Sequence, residues 1–88
     1  MKKKTYTIIK LLDMINKGRV SDIELKKIAM KSGMSRSDFY SSLEILDSLE
    51  YIKRKSDGTK YFSSITQVGK KTLKQFGYML EEKFRKMA

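Results

Sequence analysis

The chain has 88 residues, enough for one domain with a small core and too few for a second. Hydrophobic residues make up 40% and charged residues 34%, the balance of a globular chain rather than a disordered or membrane-embedded one. The absence of Cys and His excludes disulfides, thiolate nucleophiles, imidazole bases and the usual zinc ligand sets, while 20 basic against 10 acidic residues, a net charge of +10, favour a polyanionic partner.

The first predicted element is a helix over residues 5–17. Tyr6, Ile8, Ile9, Leu11, Leu12 and Ile15 give it a broad apolar face, and Gly18 follows as a left-handed stop. The basic start, Met1-Lys2-Lys3-Lys4, leads into an apolar stretch that Lys10 and Asp13 interrupt, so no secretory signal is expected. A second helix is predicted over 21–32. Ser21 and Glu24 have the spacing of a capping box, and Val20 and Leu25 that of a hydrophobic staple. Leu25, Ile28 and Ala29 are expected on its buried face, with Gly33 closing it.

The third helix, 35–50, repeats this grammar. Ser35 and Asp38 form an acidic variant of the capping box, Met34 and Phe39 stand at staple spacing, and Phe39, Leu43, Leu46 and Leu49 make the buried stripe. Only Gly33 and Met34 separate the two helices, and so short a connection forces a sharp crossing. The hydrophobic period then changes. Residues 51–65 are predicted as a β-hairpin: Tyr51 to Lys55 run out, Asp57-Gly58 make a two-residue type I′ turn, and Lys60 to Ile65 return with Tyr61, Ser63 and Ile65 on one face. Two strands alone are marginal in water, so the hairpin must lean on the helices. A long final helix, 66–87, is capped by Thr66; Val68, Leu73, Phe76, Leu80, Phe84 and Met87 recur along it, with Gly77 inside.

The acidic residues are scattered, often beside Lys or Arg, and no Gly-rich phosphate loop is present. No catalytic residue, metal site, cofactor or small-molecule ligand is therefore expected, and the chain is not expected to be an enzyme. No apolar run approaches the ~20 residues that span a bilayer, so no membrane contact is expected.

Five stretches stand in a particular order: Ala29-x-x-x-Gly33-Met34-Ser35, Phe39, Leu43-x-x-Leu46, Tyr51-Ile52 and Ile65-Thr66-x-x-Gly69. Together they resemble the winged helix-turn-helix family, nearest to regulators of the MarR and PadR types and to small archaeal winged-helix proteins that dimerise through a C-terminal helix. The resemblance runs from about Ser21 to Leu73. It departs at Glu50, where these families usually carry Gly, and at Ser32 and Ser42, where an apolar residue is common. It implies an α+β, mainly α fold with three N-terminal helices, a two-stranded wing and a long C-terminal helix.

It also implies a cytoplasmic, nucleoid-associated protein that binds double-stranded DNA as a transcriptional regulator, with the third helix in the major groove and the wing on the backbone or minor groove. On that helix the candidates are Ser35, Arg36, Ser37, Tyr40, Ser41 and Glu44. Arg36 is the sole guanidinium there and can contact guanine bidentately, whereas Glu44 suits a groove only by accepting from cytosine N4. Capping for the serines, and packing against the hairpin for Tyr40, are the competing roles. Lys53, Arg54, Lys55 and Lys60 on the wing, with Lys31, are backbone candidates; the wing charges also suit protection of an edge strand. The resembled families build dimers on terminal helices, which implies a homodimer seam of Leu73, Phe76, Leu80, Phe84 and Met87. A protein–protein interaction module and a low-specificity chromatin-type DNA-binding protein are the alternative functions.

Overall fold

Leu11 and Leu12 are neighbours in sequence and both are fully buried. A helix can bury adjacent residues only if it is covered on more than one side. In the computed structural model, which describes residues 3–18 and 20–77, α1 (Lys3–Asn16) packs against α3 (Arg36–Ser48) and also against α4 (Gln67–Phe76). Ile9, Leu11, Leu12 and Ile15 thereby enter one core with Leu25, Ala29, Met34, Phe39, Leu43, Leu46, Ile52 and Leu73. Truncating a Leu at the centre of such a core costs roughly 2–5 kcal/mol.

The short helix α2 (Asp22–Lys31) follows, preceded by the two-residue strand β1 (Val20–Ser21). Ser21 has two jobs, as a strand residue and as the N-cap whose Oγ accepts from the Glu24 N–H at 3.4 Å. Ser35 caps α3 in the same way, accepting from Asp38 N–H at 3.1 Å, and Thr66 caps α4, accepting from Gly69 N–H at 3.0 Å. Between α2 and α3 the chain turns at once. Gly33 N–H donates to Met30 O at 3.1 Å and Met34 N–H to Ala29 O at 3.0 Å, a Schellman closure that satisfies carbonyls left open at the helix end. Met34 and Phe39, at the predicted staple positions, are both buried.

The sheet has three antiparallel strands in the order β1-β3-β2, with β2 spanning Ile52–Ser56 and β3 Tyr61–Ile65. The expected hairpin is present, and β1 adds to its inner edge through the pairs Val20↔Ser63 and Ser21↔Phe62. A strand of two residues has no alternation to read, which is why the sequence showed only a cap and a staple there.

The hairpin connection also differs from expectation. It runs over four residues, 57–60, and only Gly58 has positive φ, so it is not the type I′ turn centred on Asp57-Gly58. The Asp57 carboxylate replaces that geometry: its Oδ1 accepts from Thr59 N–H at 2.9 Å, Lys60 N–H at 2.8 Å and Thr59 Oγ1–H at 2.8 Å. Two other expected core residues lie at the surface. Ile28 is 47% exposed because Leu25 and Ala29 set a narrow buried line on α2, and Leu49 is 51% exposed because it is the C-cap of α3, beyond the last turn of the buried stripe.

The fold is thus α+β and mainly helical, as the sequence suggests, with α1 starting at Lys3 rather than Thr5. Among the described residues no helix is long and apolar enough to cross a membrane.

Candidate nucleic-acid interface

Phe39, Ser42, Leu43 and Leu46 face the core from α3. Helical geometry therefore turns Ser37, Ser41, Glu44 and Ser48 outward, with Arg36, Tyr40 and Asp47 along one flank. This exposed side contains the predicted contact residues Ser37, Ser41 and Glu44, and beside them Arg36 and Tyr40. Ser35, also predicted, spends its Oγ on the N-cap. Ser41 is half-buried. Tyr40 is 49% exposed, sets its ring edge-on to Phe39 at 5.1 Å and lies under Lys26 Nζ at 5.9 Å from the ring centre. Its partners are thus α2 and its own helix, and about half of its surface stays exposed.

The charge of α3 runs against that of the whole chain. Arg36 is its one basic residue, against Asp38, Glu44 and Asp47. The positive charge sits beside it instead. Lys27 and Lys31 are exposed on α2, and Lys53, Lys55 and Lys60 on the hairpin. An open groove of about 750 Å³ separates the end of α3 from β2 and the start of α4. Asp47 and Glu50 line it together with Lys53, Lys55 and Val68.

The hairpin has two unlike faces. Ile52, Arg54 and Ser56 alternate onto one, with Tyr61, Ser63 and Ile65 across from them; Lys53 and Lys55 point to the other, opposite Ser64 and Phe62. Ile52 and Ser63 are buried, so the first face is the inner one. Arg54 on that face pairs with Asp22 at the start of α2 and places its guanidinium over the Tyr61 ring, 5.3 Å from the ring centre. Among the described residues Lys53, Lys55 and Lys60 have no acidic partner within salt-bridge distance, so the four predicted wing cations divide into one engaged and three open. Asp22 is the residue that sequence reasoning missed. At the first position of a helix an acid reads as a favourable dipole partner, and nothing local reveals a partner on a strand 32 residues away.

At the hairpin tip, hydrogen bonds from the Lys60 and Thr59 backbone hold the Asp57 carboxyl at a pKa of about 2, below its ordinary 3.8. Asp57 is therefore an anion at neutral pH, in the midst of the lysines.

Two residues of the expected dimer seam, Leu73 and Phe76, pack against their own domain's core. Leu73 is only 9% exposed in its own chain and so packs inside the domain, whereas Phe76 is half-buried against the same core and keeps part of its surface open. Leu80, Phe84 and Met87 lie outside the described residues.

No protein-family model matches the sequence, and no curated protein matches it. Solved structures do. TM0937, a conserved protein of unknown function and potential transcriptional factor, superposes with a TM-score of 0.78 at 18% identity, over 99% of this chain and 86% of that one. The transcriptional regulator BldR from Sulfolobus solfataricus gives a TM-score of 0.72 at 18% identity, over 93% of this chain and 59% of that one. A transcriptional regulator from Clostridium thermocellum gives 0.73 at 21% identity, over 99% and 94%. At these identities the likeness is one of fold. The protein has a winged helix-turn-helix fold, in which α2 and α3 form the helix-turn-helix and β2–β3 the wing.

Proposed function

We propose that the protein is a double-stranded DNA-binding regulator that sets α3 in the major groove and lays its wing on the backbone or minor groove. The observation that carries this is the sharp α2–α3 turn, which leaves the outward side of α3 uncovered beside a hairpin rich in open lysines. Three fold neighbours described as actual or potential transcription factors point the same way. In this arrangement Arg36 reads guanine, while Ser37, Tyr40 and Ser41 donate to phosphates or base edges. Glu44 can only accept, so it selects an amino group such as cytosine N4 and disfavours any register that brings it to a phosphate. The lysines supply most of the affinity, which makes binding steeply salt-dependent. Within the fold, kinship with the MarR and PadR types, a cytoplasmic site on the nucleoid, and a homodimer completed by Phe76, Leu80, Phe84 and Met87 belong to the same proposal. A dimer would offer one α3 to each of two successive major grooves.

The excess of acid on α3, with Ile23, Ile28 and Met30 exposed on α2, favours one alternative, a winged-helix module that binds protein. Fluorescence-anisotropy titration of a random duplex of about 30 base pairs, at low and near-physiological salt, separates the two. Binding that weakens steeply with salt supports the DNA reading. No binding at either salt removes duplex tracking and favours the protein-binding module.

A further inference from the structure

The ion pair between Arg54 and Asp22 has a consequence for how the wing is used. We infer that Arg54 is a positioning residue that fixes the wing against α2, and that the wing meets its polyanion with the opposite face, through Lys53 and Lys55. The second half rests on the DNA-binding proposal; the first stands without it.

Four observations meet at this point. Arg54 and Asp22 come from different elements, a wing strand and the first turn of α2, and the pair is mostly withdrawn from water, with side chains 30% and 20% exposed. The guanidinium also lies over Tyr61, its diagonal neighbour on β3, so it is held from two sides. Beneath it, Ser63 stands directly across from Arg54 and is 1% exposed, with its Oγ unpaired; Asp22 Oδ1 is likewise buried and unpaired. Finally, Asp22 follows β1 directly, and β1 is paired to β3. The ion pair therefore closes a ring that runs from β2 to α2, through β1 to β3, and back to β2.

An arginine in such a ring is a poor phosphate contact. Its Nη2 is spent on Asp22, whose negative charge offsets the attraction a phosphate would feel, and turning the whole guanidinium to a phosphate would strand a partly buried carboxylate. Lys53 and Lys55 carry no such commitment among the described residues, and they project from the other face of the strand. Of three consecutive cations in the sequence, the middle one orients the wing and its two neighbours are left free to touch the partner.

The two possible roles of Arg54 give opposite signs for Asp22→Asn. If Arg54 contacts DNA, removing Asp22 frees the guanidinium and deletes a nearby negative charge, so binding tightens. If Arg54 anchors the wing, the same change weakens binding. We expect Asp22→Asn and Arg54→Gln in the full chain each to weaken duplex binding roughly 3–10-fold with the salt slope unchanged, and the double variant to be no weaker than the worse single one. Lys55→Gln should lower the slope by about 1. Tighter binding by Asp22→Asn, or a slope lowered by Arg54→Gln as by the lysine variant, overturns the inference.

Amide hydrogen exchange in the absence of DNA tests the anchor separately. Asp22→Asn should speed exchange across β2 and β3 while leaving the centre of α3 protected, and unchanged exchange in the hairpin rules the anchor out. In the wild-type protein, NMR titration with duplex should shift Lys53 and Lys55 while the Arg54 side-chain Nε–H signal stays in place; movement of that signal instead contradicts the assigned face. A wild-type protein that binds no duplex overturns the DNA proposal and the lysine face together, and the exchange measurement still decides the anchor.

Discussion

Glu50 ends α3 in the same left-handed backbone conformation with which Gly33 ends α2: φ is 62° at Glu50 and 98° at Gly33. The hydrogen bonds match as well. Glu50 N–H donates to Asp47 O at 3.0 Å and Tyr51 N–H to Leu46 O at 3.0 Å, the same Schellman pattern that closes α2. A residue with a Cβ costs more in this conformation than glycine does. Glu50→Gly should therefore stabilise the protein by about 1 kcal/mol, and Gly33→Ala should destabilise it by a similar amount. Urea denaturation of the two variants checks both signs; a loss of stability in Glu50→Gly would mean that its side chain makes an interaction that outweighs the strain.

Gly69 answers to space rather than to φ. It sits in the first turn of α4 against the start of β2, where a Cβ would collide with the Tyr51 carbonyl oxygen and come within 2.8 Å of Ile65 Cγ1. Carbonyl and helix are both backbone, so neither yields cheaply. Gly69→Ala should cost roughly 2 kcal/mol despite alanine's better helix propensity, because overpacking exceeds that gain. A raised or unchanged melting temperature would show that α4 can slide away from the hairpin at little cost.

On α3, Arg36→Ala should weaken binding to a preferred duplex by about 1–3 kcal/mol and relax the preference at one base pair, since no other residue of the helix offers a bidentate donor. Selection from a randomised duplex pool with each protein measures this. Unchanged affinity and preference would mean that α3 docks in another register.

Glu44→Gln should act with the opposite sign on random DNA. Removing the carboxylate takes away repulsion from phosphates, so affinity for arbitrary duplexes should rise several-fold while discrimination at the base that Glu44 meets declines. Parallel titrations of preferred and random duplexes report the two effects separately. A fall in affinity for both duplexes would remove Glu44 from the groove.

The hairpin tip has its own pH response. The folded-state pKa of Asp57 is lowered from 3.8 to about 2, so the order it gives the loop is complete above about pH 4 and is lost as pH falls through about 2. No change is expected near neutrality. An NMR titration should find the Asp57 carboxyl still ionised at pH 3, with the Thr59 and Lys60 amide signals moving only below that. An ordinary carboxyl titration would show that the loop hydrogen bonds are not held in solution.

Most of the fold was legible because its signals are local. The caps at Ser21, Ser35 and Thr66 and the glycine between α2 and α3 each act within a few residues, and each lies where the sequence places it. What escaped was whatever depended on a partner far along the chain. β1 exists because Val20 and Ser21 meet β3, and Arg54 is engaged because Asp22 lies opposite; neither fact has a local trace. Leu73 looked free to join a second chain because periodicity marks a face as apolar without saying what covers it, and α1 covers it here. The exposed side of α3 could be named residue by residue, since the buried stripe fixes its complement. The division of the wing's cations needed the strand register.

The two ends of the hairpin are fastened at one spot: Thr66 N–H donates to Tyr51 O at 3.0 Å and Thr66 Oγ1–H to Glu50 O at 2.7 Å. The wing is thus a closed excursion that leaves the helices and returns to its point of departure. Its outer portion, from Asp57 to Lys60, also projects past the two residues through which β1 holds β3. That portion can be lengthened, trimmed or exchanged for another sequence while the helices keep their places. The fold is built to vary how far the hairpin reaches by editing a few residues at the tip, without renegotiating the core.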